Sequence, residues 1–178
     1  MNLTSEDLLH IFYSGYPAGA SWDVIDDLTV AISKNYLSYQ QLELIPKKEF
    51  YLLQNTIVVL DGLGPQGKGH MALKEAAKLW IHKKYAMHLV CESYFSGLHP
   101  DVLSENHKYV IECGTTDPSC ISIYLDNTEV EWAGNIPYPF DEDTYLKLHV
   151  FSRGIGYAVW KENKLDIIRQ SFRKYHRS

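Results

Sequence analysis

The spacing of apolar positions divides the 178-residue chain into helical stretches followed by a run of short extended ones. EDLLHIF, with Thr4 or Ser5 as its cap, and WDVIDDLTVAISKNYL, opened by Ser21, both repeat at helical spacing. Residues 4 to about 45 are therefore expected to be helical, with Val24, Leu28, Ala31 and Ile32 on one face of the second helix. FYLLQNTIVVL, residues 50–60, is rich in β-branched and aromatic residues and is expected to end extended. The glycines of DGLGPQGKG then break the chain, as a hinge or a functional loop.

HMALKEAAKLWIHKKY is the clearest helix. At 100° per residue Leu73, Ala76, Ala77 and Trp80 fall on one face, while Glu75 and Lys78 point away. His70 and Lys74, four apart, line an edge of that face. Three strand candidates follow, AMHLVCESYF, PDVLS and KYVIECG, separated by turns too short for crossover helices. That spacing predicts an antiparallel meander. SCISIYLDN fits a helix or a strand, and IPYPFDED is rich in turn residues. YLKLHVF and GIGYAVW read as strands that close the sheet. Residues 163–176 read as an amphipathic helix with Leu165, Ile168, Phe172 and Tyr175 inward. Its outer Arg169, Arg173, Lys174 and Arg177 form either a solvated face or a phosphate-contacting one.

Composition narrows the class. At 46% hydrophobic and 22% charged the chain is that of a soluble globular protein, and no apolar run reaches membrane-spanning length. The N-terminus MNLTSEDLLH lacks the basic start and long apolar core of an export signal, so a cytoplasmic protein with no membrane partner is expected. Net charge is −5, which gives no global basic field to attract nucleic acid. A nucleic-acid partner would have to meet a local patch. Cys91, Cys113 and Cys120 form no CxxC pair and read as reduced core thiols.

The candidate chemistry lies in the meander. Residues two apart share a face of a strand, so Val110 and Glu112 face one way, and Tyr109, Ile111 and Cys113 the other. Glu92 ends the apolar HLVC, Asp101 opens the second strand and Glu112 ends the third, so three acids can meet at one end of a small sheet. Carboxylates sharing a site repel unless a cation sits between them, and a divalent metal resolves the conflict. Such oxygen ligands suit Mg²⁺ or Mn²⁺, which activate water in phosphodiester hydrolysis.

HPDV (99–102), followed by YVIECG (109–114) and preceded by Glu92 and the helix HMALKEAAKLW, resembles the PD-(D/E)XK, or restriction-endonuclease-like, nuclease superfamily. There a helix packs on a meander whose second and third strands carry the metal-holding Asp and Glu. The likeness covers roughly residues 70 to 125 and matches Asp101 and Glu112 to those two acids, with Glu92 resembling an additional acid found one strand earlier in some members. It implies an α/β, restriction-endonuclease-like mixed central sheet flanked by helices, here with an N-terminal helical extension (1–60) before the core (61–178). One departure stands out. The family's lysine stands two positions after the acid, where it positions the attacking water and offsets transition-state charge; that position is Gly114 here. Some members move the lysine to the neighbouring helix, where Lys74 stands, with His70 as a second candidate for water or phosphate contact.

The function expected is a Mg²⁺- or Mn²⁺-dependent nuclease acting on DNA. Asp101, Glu112, Lys74 and His70 would be catalytic, and Glu92, Asp101 and Glu112 would hold the metal; a homodimer is compatible with the chain. Two alternatives stay open. Gly114 and the acidic net charge fit an inactive relative that binds nucleic acid or protein. GLGPQGKG (62–69) approaches the phosphate-loop pattern G-x-x-x-x-G-K-[ST], with Lys68 against phosphate, but Gly69 replaces its hydroxyl residue and the strands that follow do not alternate with helices.

Overall fold

The computed structural model describes residues 3–57, 67–90 and 94–163. Five helices and six strands follow one another as α1 (Ser5–Tyr13), α2 (Trp22–Ser33), β1 (Leu37–Pro46), α3 (Lys47–Thr56), α4 (Lys68–Tyr85), β2 (Leu89–Val90), β3 (Val102–Ser104), β4 (Tyr109–Cys113), α5 (Ser119–Asp126), β5 (Trp132–Ile136) and β6 (Tyr145–Arg153). A further helical stretch covers residues 157–163. The strands form one mixed sheet in the order β1-β6-β5-β4-β3-β2. Its pairings are antiparallel except for β4 with β5, whose parallel run is bridged by α5. The fold is α/β, with helices on both faces.

Alternation along the strands explains the layers. Val110, Ala133 and Phe151 face one way and pack with Leu8 and Phe12 of α1, Ile25 and Leu28 of α2 and Tyr124 of α5. Ile111, Leu148 and Val150 face the other way and pack with Phe50 of α3 and with Leu73, Ala76, Ala77 and Ile81 of α4. All five residues of β4 are buried, as expected of a strand covered on both faces. Each fully buried Leu, Ile or Phe contributes about 1.5–3 kcal/mol relative to exposure. Apolar burial on this scale is what lets a strand such as β4 carry one carboxylate.

The α4 helix and the β2–β3–β4 antiparallel meander match the sequence reading, and SCISIYLDN resolves to the helix α5. Other expectations need correction. Leu37–Pro46 is not helical: it pairs antiparallel with β6 from Leu37↔Arg153 to Pro46↔Tyr145. The first 60 residues are therefore no all-helical extension, because they supply an edge strand of the sheet and, through α1 and α2, much of one core. Within α2 it is Ile25 rather than Val24 that is buried with Leu28 and Ile32. FYLLQNT belongs to the helix α3, with Ile57 extended after it. The strand β5 was hidden beside the turn-rich IPYPFDED.

GIGYAVW is not a strand either. A Cβ on Gly154 would stand 2.2 Å from the Asn35 carbonyl oxygen, and one on Gly156 2.4 Å from the Tyr36 ring. The two glycines let the chain turn tightly against the α2–β1 connection, and it continues as helix from Tyr157. The amphipathic segment expected at 163–176 lies outside the described residues from 164 onward, with its four basic residues.

Candidate functional site

Asp101 precedes β3 at the end of the meander where β4 finishes, and α4 runs across that end with its first turns. Alignment of the strands sets the acids side by side, because Val102 pairs with Ile111, leaving Asp101 next to Glu112. The Asp101 backbone N–H points at Glu112 Oε2, 3.4 Å away, and the Cys113 N–H donates to Asp101 Oδ2 at 2.9 Å. On α4 the four-residue spacing of His70 and Lys74 turns both toward the same acid. His70 Nε2 donates to Asp101 Oδ1 at 3.0 Å, and the Lys74 ammonium lies 3.7 Å from the same oxygen. Lys74 is only 5% exposed, which for a lysine requires a compensating charge nearby.

The two carboxyl groups are driven apart in acidity. Burial would raise Asp101, but hydrogen bonds from His70 and the Cys113 backbone, with the charges of His70 and Lys74, outweigh it and hold Asp101 below the usual carboxylate range. Among the described residues no cation pairs with Glu112 as His70 and Lys74 do with Asp101. Burial, assisted by the Asp101 charge, lifts it from 4.5 to about 7 against the opposing hydrogen bond from Tyr124. That bond, from the Tyr124 hydroxyl to Glu112 Oε1 at 2.5 Å, comes from α5 on the opposite face of the sheet from α4. Burial and the Glu112 carboxylate together raise the Tyr124 phenol, so it stays a donor.

Gly114 is explained by its surroundings. Its φ is +78°, in the left-handed region, and a Cβ there would stand 2.9 Å from Cε2 of Tyr138. A lysine at this position would have to displace the Tyr138 ring and hold a strained backbone. The ring also covers Gly69 in the first turn of α4, where a Cβ would meet it at 3.1 Å. Two side chains that sequence reasoning missed thus frame the site, Tyr124 and Tyr138. Tyr124 was detectable as a hydroxyl in the otherwise apolar stripe of SCISIYLD, since a buried tyrosine needs a partner.

Asp101, Glu112, His70 and Lys74 therefore come together, while Glu92 lies outside the described residues, as do Cys91 and residues 61–66 of the glycine segment. Among the described residues no group of three or more His, Cys, Asp or Glu side chains is gathered to hold a metal ion. Donor chemistry still fits a hard divalent cation, because two carboxylates adjoin and one of them is buried with no paired cation among the described residues. Gly67 caps α4 and Lys68 begins it, but the next three strands, β2 to β4, form an antiparallel meander, unlike a phosphate-loop domain. Cys113 and Cys120 are buried, as core thiols are. Among the described residues no helix is long and apolar enough to cross a membrane. The chain matches no protein-family model, no curated protein and no solved structure, so its function has to be read from this geometry.

Proposed function

We propose that the protein is a divalent-metal-dependent nuclease of the restriction-endonuclease-like type, hydrolysing DNA phosphodiester bonds with Mg²⁺ or Mn²⁺. The observation that carries this reading is the meeting of Lys74 and His70 with Asp101, beside a Glu112 whose carboxyl is raised to about 7. The helix-on-meander arrangement, with acids at the second and third meander strands, supports it.

Asp101 and Glu112 would hold the cation. A bound divalent ion supplies a more acidic water and offsets charge on the phosphoryl oxygens. Lys74, fixed by burial and by Asp101, takes the part of the lysine that Gly114 cannot carry, stabilising negative charge that develops on phosphate. His70, bound through Nε2 to Asp101, is held at the mouth of the acid pair, where it contacts phosphate or accepts a proton from water.

The test is cleavage of plasmid and single-stranded DNA with Mg²⁺ or Mn²⁺, comparing wild type with Asp101→Ala and Glu112→Ala. Each substitution is expected to lower the rate by about a hundredfold or more. Equal activity in all three proteins refutes the proposal.

A second reading, a non-catalytic module of the same shape binding nucleic acid or protein, is favoured by one observation. Three of the four carboxylate oxygens already receive hydrogen bonds at 3.0 Å or less from His70, Cys113 and Tyr124. Calorimetric titration with MgCl₂ and MnCl₂ separates the two, since absence of binding at millimolar concentration leaves only the module.

A further inference from the structure

A cavity of about 300 Å³ opens on the α1 face of the sheet, between β1, β6 and the segment after β5, and shares no residue with the acid cluster. Its apolar walls are Leu3, Ile11, Tyr39, Pro137, Pro139 and Phe140. Three carboxylates, Asp7, Glu142 and Asp143, one ammonium, Lys147, and the polar side chains of His10 and Gln41 border it. Asp7 is engaged in the α1 cap, accepting from Thr4 N at 2.7 Å, and Asp143 accepts from Lys147 Nζ at 2.6 Å and Phe140 N at 2.8 Å. Glu142 remains exposed at the edge. The border is thus net negative, with its best-placed cation already paired.

His149 supplies the directional group. It lines the cavity yet is only 7% exposed. Its Nδ1 lies 2.8 Å from the Tyr39 hydroxyl. The phenol proton has no other acceptor among the described residues, so Tyr39 donates to Nδ1 and the imidazole proton stays on Nε2. Nε2 meets no acceptor among the described residues. Burial and the Lys147 charge hold the ring at about 4, which keeps it neutral, so a neutral N–H lines the cavity.

We propose that this cavity binds an uncharged planar heterocycle bearing a hydrogen-bond acceptor, of nucleobase or nucleoside size and without a phosphate. The Nε2–H lines the cavity without an acceptor among the described residues, and a carbonyl oxygen or a pyridine-type nitrogen is the group that matches it. Tyr39, Phe140 and the two prolines offer flat surfaces for a ring to pack against. The negative border repels a phosphate, and Asp7 and Asp143, engaged by the α1 cap and by Lys147, are not free partners for a cation. The volume lies at the small end of ligand sites, which fits a nucleoside rather than a dinucleotide. The proposal stands independently of the nuclease reading.

The full-length protein is titrated with uridine, cytidine, adenosine and guanosine and with their 5′-monophosphates, following the His149 ring nitrogens by ¹⁵N NMR. At least one nucleoside is expected to saturate below about 1 mM, to shift the Nε2 resonance, and to bind more tightly than its monophosphate. His149→Phe keeps the ring stacked on Tyr39 and should weaken binding about three- to tenfold. Glu142→Lys, at the exposed edge, should narrow the preference for nucleoside over monophosphate. No saturable binding by any of the four nucleosides up to about 10 mM overturns the proposal. So does tighter binding of the monophosphates or of benzamidine, or unchanged affinity in folded His149→Phe. Should His149→Phe not fold, the Nε2 shift and the Glu142→Lys comparison decide.

Discussion

Glu112 is where apolar burial and electrostatics oppose each other most directly. Its folded-state pKa, about 7, lies above the ordinary 4.5, so between those values the folded protein holds a proton that the unfolded chain releases. Stability contributed by this residue therefore falls as pH rises from about 4.5 to about 7, by up to about 3 kcal/mol. Glu112→Gln keeps an acceptor for Tyr124 and removes the titration. In urea melts it should equal wild type near pH 4.5 and exceed it at pH 8; a constant difference across that range would contradict the assignment. His149 has the opposite sign. Its pKa is lowered from 6.5 to about 4, so its contribution is full above 6.5 and is lost as pH falls toward 4. A folded His149→Phe variant should show a shallower loss of stability in that acid window than wild type. At Gly114 the expected cost of Gly114→Ala is about 1–3 kcal/mol, from the positive φ and the contact with Tyr138. Adding Tyr138→Ala should recover only the part due to that contact. That a glycine stands two positions after Glu112 was readable, but its cause was not, since neither φ nor the Tyr138 ring is visible in the local sequence.

Among the elements, α1 shows what local pattern decides well. Thr4 accepts from the Asp7 N–H at 3.1 Å while Asp7 accepts from the Thr4 N–H, a reciprocal cap written in TSED. Thr4→Ala should lower stability by about 1 kcal/mol in a denaturant titration, and no change would mean that tertiary packing alone holds the helix end. The helix α4 was equally legible because its apolar stripe and its His70/Lys74 edge both follow from helical spacing. β1 was not. LSYQQLELIP carries helix-compatible residues, and it is extended because its hydrogen bonds are made to β6, about a hundred positions away in the chain. FYLLQNTIVVL, expected to end extended, begins as α3 because Phe50 is drawn into the core shared with α4, and Ile57 after it is extended. The misreading of β1 comes from the override of local propensity by partners distant in sequence.

For the whole molecule, the dependence of the sheet on its first 46 residues has a direct consequence. Removing residues 1–60 would strip β1 from β6 and expose Val110, Ala133 and Phe151, which α1 and α2 help cover. A fragment of residues 61–178 is expected to lack a cooperative thermal transition in circular dichroism; a sharp melt would show that the remainder is an independent unit. The chain alone determined the α/β class, the meander, the α4 helix and the residues that meet around Asp101, because those depend on periodicity and on contacts between neighbouring elements. Tertiary structure alone decided that Glu112 is raised and Asp101 lowered, since burial lifts Glu112 while His70, the Cys113 N–H and Lys74 hold Asp101 down. It likewise decided the place of β1 and the cavity at His149, which unites α1, β1, β6 and the segment between β5 and β6. Burial and long-range pairing are properties of the assembled chain, and no local window of sequence contains them.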